Sequence, residues 1–86
     1  MNINELIAIV KNKLETEIVI QNLKIEDKSF LHKNHKGHQE GKFHLKLVIS
    51  SKELAKTSKI ISTKKIYSVL DLELKEYIHS IQILLS

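Results

Sequence analysis

Four of the five histidines in this 86-residue chain, His32, His35, His38 and His44, fall within thirteen positions, and its two glycines, Gly37 and Gly41, lie among them. Neutral imidazole is a good ligand for zinc, copper and iron, so a cluster of this kind is a candidate metal site. His32, His35 and His38 are spaced three apart in a polar stretch able to fold around an ion, and three histidines leave one position of a tetrahedral shell open. Two other readings stand beside that one. The loop can lend a single imidazole to a metal held mainly by a partner, or it can be a polar connection that merely tolerates histidine. The chain has no cysteine, so it offers no thiolate, no disulfide and no cysteine nucleophile. Any soft metal or iron–sulfur cluster held here needs sulfur ligands from elsewhere.

Other chemistry finds little support. No Gly-x-Ser-x-Gly turn presents a serine nucleophile, and two glycines cannot build a glycine-rich phosphate loop. Glu26 and Asp27 are adjacent, which on a strand sends their carboxylates to opposite faces instead of pairing them for acid–base work. No catalytic residue is assigned, and no enzyme is expected.

The formal charge is +4, and every basic residue is lysine. From Lys24 to Lys65 eleven lysines face four acids, whereas the two ends together hold three lysines and six acids. A basic centre of this kind attracts an acidic partner or nucleic acid. Lys52, Lys56, Lys59, Lys64 and Lys65 gather around one segment and can draw phosphate in a salt-sensitive way. Lysine lacks the planar fork that reads guanine, so loose backbone contact is favoured over base readout. The plainer reading is a solvated lysine-rich surface.

The elements that must position these groups follow from periodicity. Ile3, Leu6, Ile7, Val10 and Leu14 form one helical stripe. Asn2 can cap it, with Glu5 three residues on in capping-box spacing; the spacing predicts a helix of about twelve residues. Ile18 and Ile20, then Leu23 and Ile25, alternate with a change of phase between the pairs, which predicts a strand with a bulge or a short lead-in. Phe43, Leu45, Leu47 and Ile49 alternate against His44, Lys46, Val48 and Ser50, a second strand that makes a hairpin with the first across a long loop, Asp27 to Gly41. A lysine-rich link then leads to a helix carrying Ile66, Leu70 and Leu74, starting between Ser58 and Ser62 and ending near Lys75. Ile81, Ile83 and Leu85 read as a last strand. The order is α-β-β-α-β in one small domain spanning 1–86, an α+β two-layer sandwich with a three-stranded sheet. No apolar run approaches the length that spans a bilayer, so no membrane partner is expected.

Several of these segments also carry a family pattern. Asp27-Lys-Ser29, the His32-x-x-His35-x-Gly37 loop, the strand His44-Leu-Lys-Leu-Val-Ile-Ser-Ser51, the Ile66-Tyr67 and Leu70 side of the second helix, and Ile78-His79-Ser-Ile81 together resemble BolA-like proteins over nearly the whole chain. The resemblance implies a BolA fold, similar to a class II KH domain. It implies an adaptor that binds a monothiol glutaredoxin and takes part in iron–sulfur cluster trafficking or iron and redox regulation, in the cytoplasm. It also implies a possible transcriptional role with DNA, although the Gly-x-x-Gly clamp of KH domains is absent. No cofactor is expected for the chain alone; the implied one is a [2Fe-2S] cluster shared with a glutaredoxin and glutathione.

One position departs from the pattern. Where the family's second helix opens with Arg-His-Arg, this chain has Ser62-Thr63-Lys64, so the family's signature histidine is Thr63. A threonine hydroxyl is a hard, neutral oxygen and a poor substitute for imidazole on iron. The resemblance then implies docking through Thr63, Lys64 and His44, with His32, His35 or His38 as the loop candidates for a ligand. His44 is expected to hydrogen-bond across the sheet and fix the base of the loop, and His79 to pack or hydrogen-bond at the start of the last strand.

Overall fold

The computed structural model describes residues 1–29 and 42–86. The first helix, α1 (Ile3–Glu17), starts where Asn2 Oδ1 accepts the Glu5 N–H at 2.8 Å while Asn2 Nδ2 donates to Glu5 Oε1 at 2.8 Å. Leu6, Val10 and Leu14 are fully buried, and Ile3 packs against them. The helix runs one turn further than its apolar stripe predicts. Ile18 then turns extended as its C-cap, its N–H still bonded to the Leu14 carbonyl, and its side chain is buried in the core.

That cap explains the change of phase between Ile18–Ile20 and Leu23–Ile25. Ile18 belongs to the helix end, and the strand β1 (Asn22–Asp27) begins only after the lead-in. β1 pairs antiparallel with β2 (Phe43–Ser50), Leu23 opposite Ile49 and Ile25 opposite Leu47. β3 (Ile78–Leu85) lies on the other side of β2 and runs parallel to it, giving the order β1-β2-β3. Leu45, Leu47 and Ile49 are buried on the face that meets the helices, joined there by Leu23, Ile25, Ile81, Ile83 and Leu85. This is the two-layer α+β arrangement with a three-stranded sheet that the patterning predicts.

A parallel β2–β3 pair needs a long crossover, and it is built from three helices instead of the single one predicted. The lysine-rich link contains a short helix α2 (Lys52–Ala55), capped by Ser51, whose hydroxyl accepts the Leu54 N–H at 3.1 Å and buries Leu54 in the core. The longer helix α3 (Lys59–Val69) is capped by Ser58. At Leu70 the backbone leaves helical geometry before α4 (Asp71–Glu76), so the predicted helix is two. The break keeps Ile66 and Leu70 fully buried while Leu74 is only partly so. Lysine content hid α2 in the sequence; a serine cap and one buried leucine suffice to form it.

Candidate functional site at the head of the sheet

β2 and β3 begin side by side, and the pairing there is irregular. Phe43 is opposite Ile78, but His44 is opposite Ser80, so His79 is an extra residue on β3. A bulge of this kind re-aims side chains. His79 and Ser80 both meet His44 on the sheet face away from the core. The His44 and His79 rings lie 5.0 Å apart, tilted by 48°, and His44 Nδ1 and Ser80 Oγ share a hydrogen bond of 2.6 Å whose direction the tautomer sets. His44 is 6% exposed, whereas His79 is open to solvent.

The backbone of His44 also gathers the end of β1. Its N–H donates to Ser29 Oγ at 3.0 Å, and its carbonyl accepts the Lys28 N–H at 2.7 Å. Asp27 Oδ1 in turn accepts the Ser29 N–H at 2.9 Å, a local Asx turn. Thus, just past the end of β1, Lys28 and Ser29 are both tied to the backbone of His44, the second residue of β2. His32, His35 and His38 lie outside the described residues. Among the described residues, no group of three or more His, Cys, Asp or Glu side chains can hold a metal ion.

Around the histidines the open face is cationic. Glu26 lies 3.6–3.9 Å from the ammonium groups of Lys24, Lys28 and Lys46, so one carboxylate is shared by three lysines. Lys28, His44, Lys46, Ser80 and Gln82 line an open groove on this face.

Thr63 and Lys64 are placed elsewhere. Ser62, their neighbour on α3, is buried and bonds the Leu54 carbonyl at 3.0 Å and Thr57 Oγ1 at 2.8 Å. Leu54 follows Ser51 at the exit of β2, and β2 is eight residues long, roughly 25 Å at about 3.3 Å per residue. The start of α3 is therefore anchored at the opposite end of β2 from His44. Thr63 is half-buried and Lys64 exposed. Lys52, Lys56 and Lys59 are exposed along α2 and the start of α3, while Lys65 donates to Glu53 Oε2 at 2.9 Å. At the start of the last strand His79 is expected to pack or hydrogen-bond; the bulge that turns it outward has no signature in the sequence.

The BolA-like protein family profile matches residues 14–86. The chain belongs to the BolA-like family. Solved structures agree with that membership. The BolA domain of SufE1 from Arabidopsis thaliana superposes with a TM-score of 0.78 at 28% identity, covering 100% of this chain and 93% of its own. BolA1 from the same plant gives 0.78 at 27% identity, covering 92% of this chain and 87% of its own. BolA1 from Mus musculus, at 19% identity and a TM-score of 0.71, covers 90% of this chain and 60% of its own and shows the same fold. No curated protein sequence matches this BolA-like chain. Among its described residues no helix is long and apolar enough to cross a membrane.

Proposed function

We propose that this BolA-like protein is an adaptor, not a catalyst, which binds a monothiol glutaredoxin and receives or presents a [2Fe-2S] cluster as cargo. One observation carries the reading: an exposed imidazole, His79, stands on a bulge against the buried His44. Imidazole suits iron, and a threonine at position 63 does not. With no cysteine in the chain, the thiolates come from the partner and glutathione, and this protein supplies at most a nitrogen ligand.

In this reading His79 takes the part of the outer ligand. His44, gripped by Ser80, packs against it and fixes its ring, the role that groups behind a ligand commonly play. His32, His35 and His38, in the sequence between Ser29 and Lys42, are the candidates for a second imidazole. The lysines around Glu26 favour an acidic partner surface and shield a cluster's negative charge.

The test mixes the protein with a cluster-loaded monothiol glutaredoxin and glutathione, and records visible circular dichroism together with size exclusion. A heterodimer with an altered cluster spectrum is expected. In His79→Ala the complex should persist with the spectrum of the glutaredoxin alone. No complex with the unmodified chain would sink the adaptor reading, and an unchanged spectral shift in His79→Ala would remove His79 from the iron shell.

A further inference from the structure

Three exposed large hydrophobic residues gather on the outer side of α3, whose start is anchored at the other end of β2 from the histidine pair. Ile60 is 69% exposed, Ile61 57% and Tyr67 44%. Ile60, Lys64 and Tyr67 follow one another at i, i+4 and i+7, so they share one face, with Ile61 on its flank. Ser62, Ile66 and Leu70 take the opposite, buried side. The segment 51–70 holds five lysines and one acid, Glu53. Lys65 engages that acid, while Lys52, Lys56, Lys59 and Lys64 have no carboxylate within 4.0 Å among the described residues.

We propose that this face of α3 docks on an anionic lipid surface, with Ile60, Ile61 and Tyr67 entering the headgroup boundary and the lysines meeting the phosphates. The charge pattern selects the occupant. The centre of the patch is Lys64, and lysine is depleted from the cores of protein interfaces. At a lipid surface the same residue is favourable, because its stem lies along the apolar boundary while the ammonium stays at headgroup level. Tyrosine is suited to that depth for the same reason. Nucleic acid would use the lysines but leave the isoleucines without a role. A basic helix with exposed apolar residues binds in the interface plane and needs no spanning segment, so the absence of a membrane-length run does not bear on it. Juxtamembrane lysines add attraction that salt screens. The proposal is independent of the glutaredoxin reading, since its residues are not those of the His44–His79 face.

The experiment is co-sedimentation of the full chain with vesicles of phosphatidylcholine alone or mixed with phosphatidylglycerol. Partition into the anionic vesicles should exceed that into the neutral ones by about tenfold at low salt and collapse at high salt. The Ile60→Ser/Ile61→Ser variant, whose changes are at exposed positions and whose folding far-ultraviolet circular dichroism checks, should lose about tenfold. Binding to glutaredoxin by that variant should be unaffected. Absence of sedimentation with anionic vesicles at low salt would overturn the proposal. So would undiminished binding by the serine variant, comparable affinity for duplex DNA that ignores the isoleucines, or a dimer of the native chain that the serine variant dissolves.

Discussion

His44 Nδ1 and Ser80 Oγ lie 2.6 Å apart across the β2–β3 pairing, immediately beyond the bulge that displaces His79. This bond closes the irregular end of an otherwise regular parallel ladder. It also holds the imidazole of His44 in the orientation that meets the His79 ring at 5.0 Å.

Ser80→Ala should therefore lower stability by about 1 kcal/mol, the net worth of a typical hydrogen bond in a partly buried site. Urea unfolding measures it. The same variant should broaden or shift the His44 ring signals in a proton–nitrogen correlation spectrum, and an unperturbed ring would show that Ser80 does not orient it.

Ser62 joins α2 to α3. The residue is 1% exposed and its hydroxyl donates to the Leu54 carbonyl at 3.0 Å. Ser62→Ala removes that bond and the one shared with Thr57 Oγ1 at 2.8 Å, while the Leu54 carbonyl keeps the Thr57 N–H at 3.1 Å. Two bonds at about 0.5–1.5 kcal/mol each put the expected loss at about 1–3 kcal/mol. Ser58→Ala, which removes an exposed cap accepting the Ile61 N–H at 3.2 Å, should cost about 1 kcal/mol. An equal or smaller effect at Ser62 would contradict the assigned order.

Lys13 on α1 donates to Glu73 Oε2 on α4 at 2.7 Å, and the Glu73 side chain is only 3% exposed. Its Oε1 has no hydrogen-bond partner among the described residues, so the carboxylate depends heavily on Lys13. Lys13→Met should destabilise by about 3 kcal/mol, the low end for breaking a buried pair, because Lys13 itself is partly exposed. The Lys13→Met/Glu73→Leu double variant should recover most of that. A cycle of chemical denaturations gives the coupling, and additivity of the two single changes would refute it.

Glu53 supplies a pH test. The hydrogen bond from Lys65 holds its carboxyl below the ordinary 4.5, aided by the Val19 N–H and opposed by burial. A depressed carboxylate contributes stability above its unfolded value, and that contribution is lost as pH falls through the lower folded value. Near neutrality Lys65→Met should be less stable than the native chain. The gap should close as pH drops below 4.5. A gap independent of pH in denaturant titrations would show that Lys65 acts through packing alone.

Much of the architecture was legible in the residues because each element answers to a local rule. The stripe from Ile3 to Leu14 and the alternation from Phe43 to Ile49 give a helix and a strand at the periods of 3.6 and 2. Asn2 with Glu5 marks the start of α1 through capping chemistry. The absence of cysteine alone decided that any thiolate must come from a partner. Where local rules competed, the reading was coarser. Lysines around a single buried Leu54 obscured α2, and with no Gly or Pro between Lys59 and Glu76 nothing marked the break at Leu70.

The site itself was decided only by tertiary structure. His44 and His79 are thirty-five positions apart in sequence, and nothing in their spacing pairs them. Parallel strand pairing sets the two chain segments side by side, and one extra residue on β3 turns His79 toward His44. The same crossover anchors the start of α3, with Thr63 and Lys64, at the far end of β2, although sequence reasoning joined them to His44 in one docking face. Burial works in the same non-local way: Ile60 and Ile61 look like core residues by type, yet Ser62, Ile66 and Leu70 fill the inner side of α3 and leave them in solvent. Residue type fixes what a side chain can do, and the packing of distant segments fixes which side chains stand together to do it.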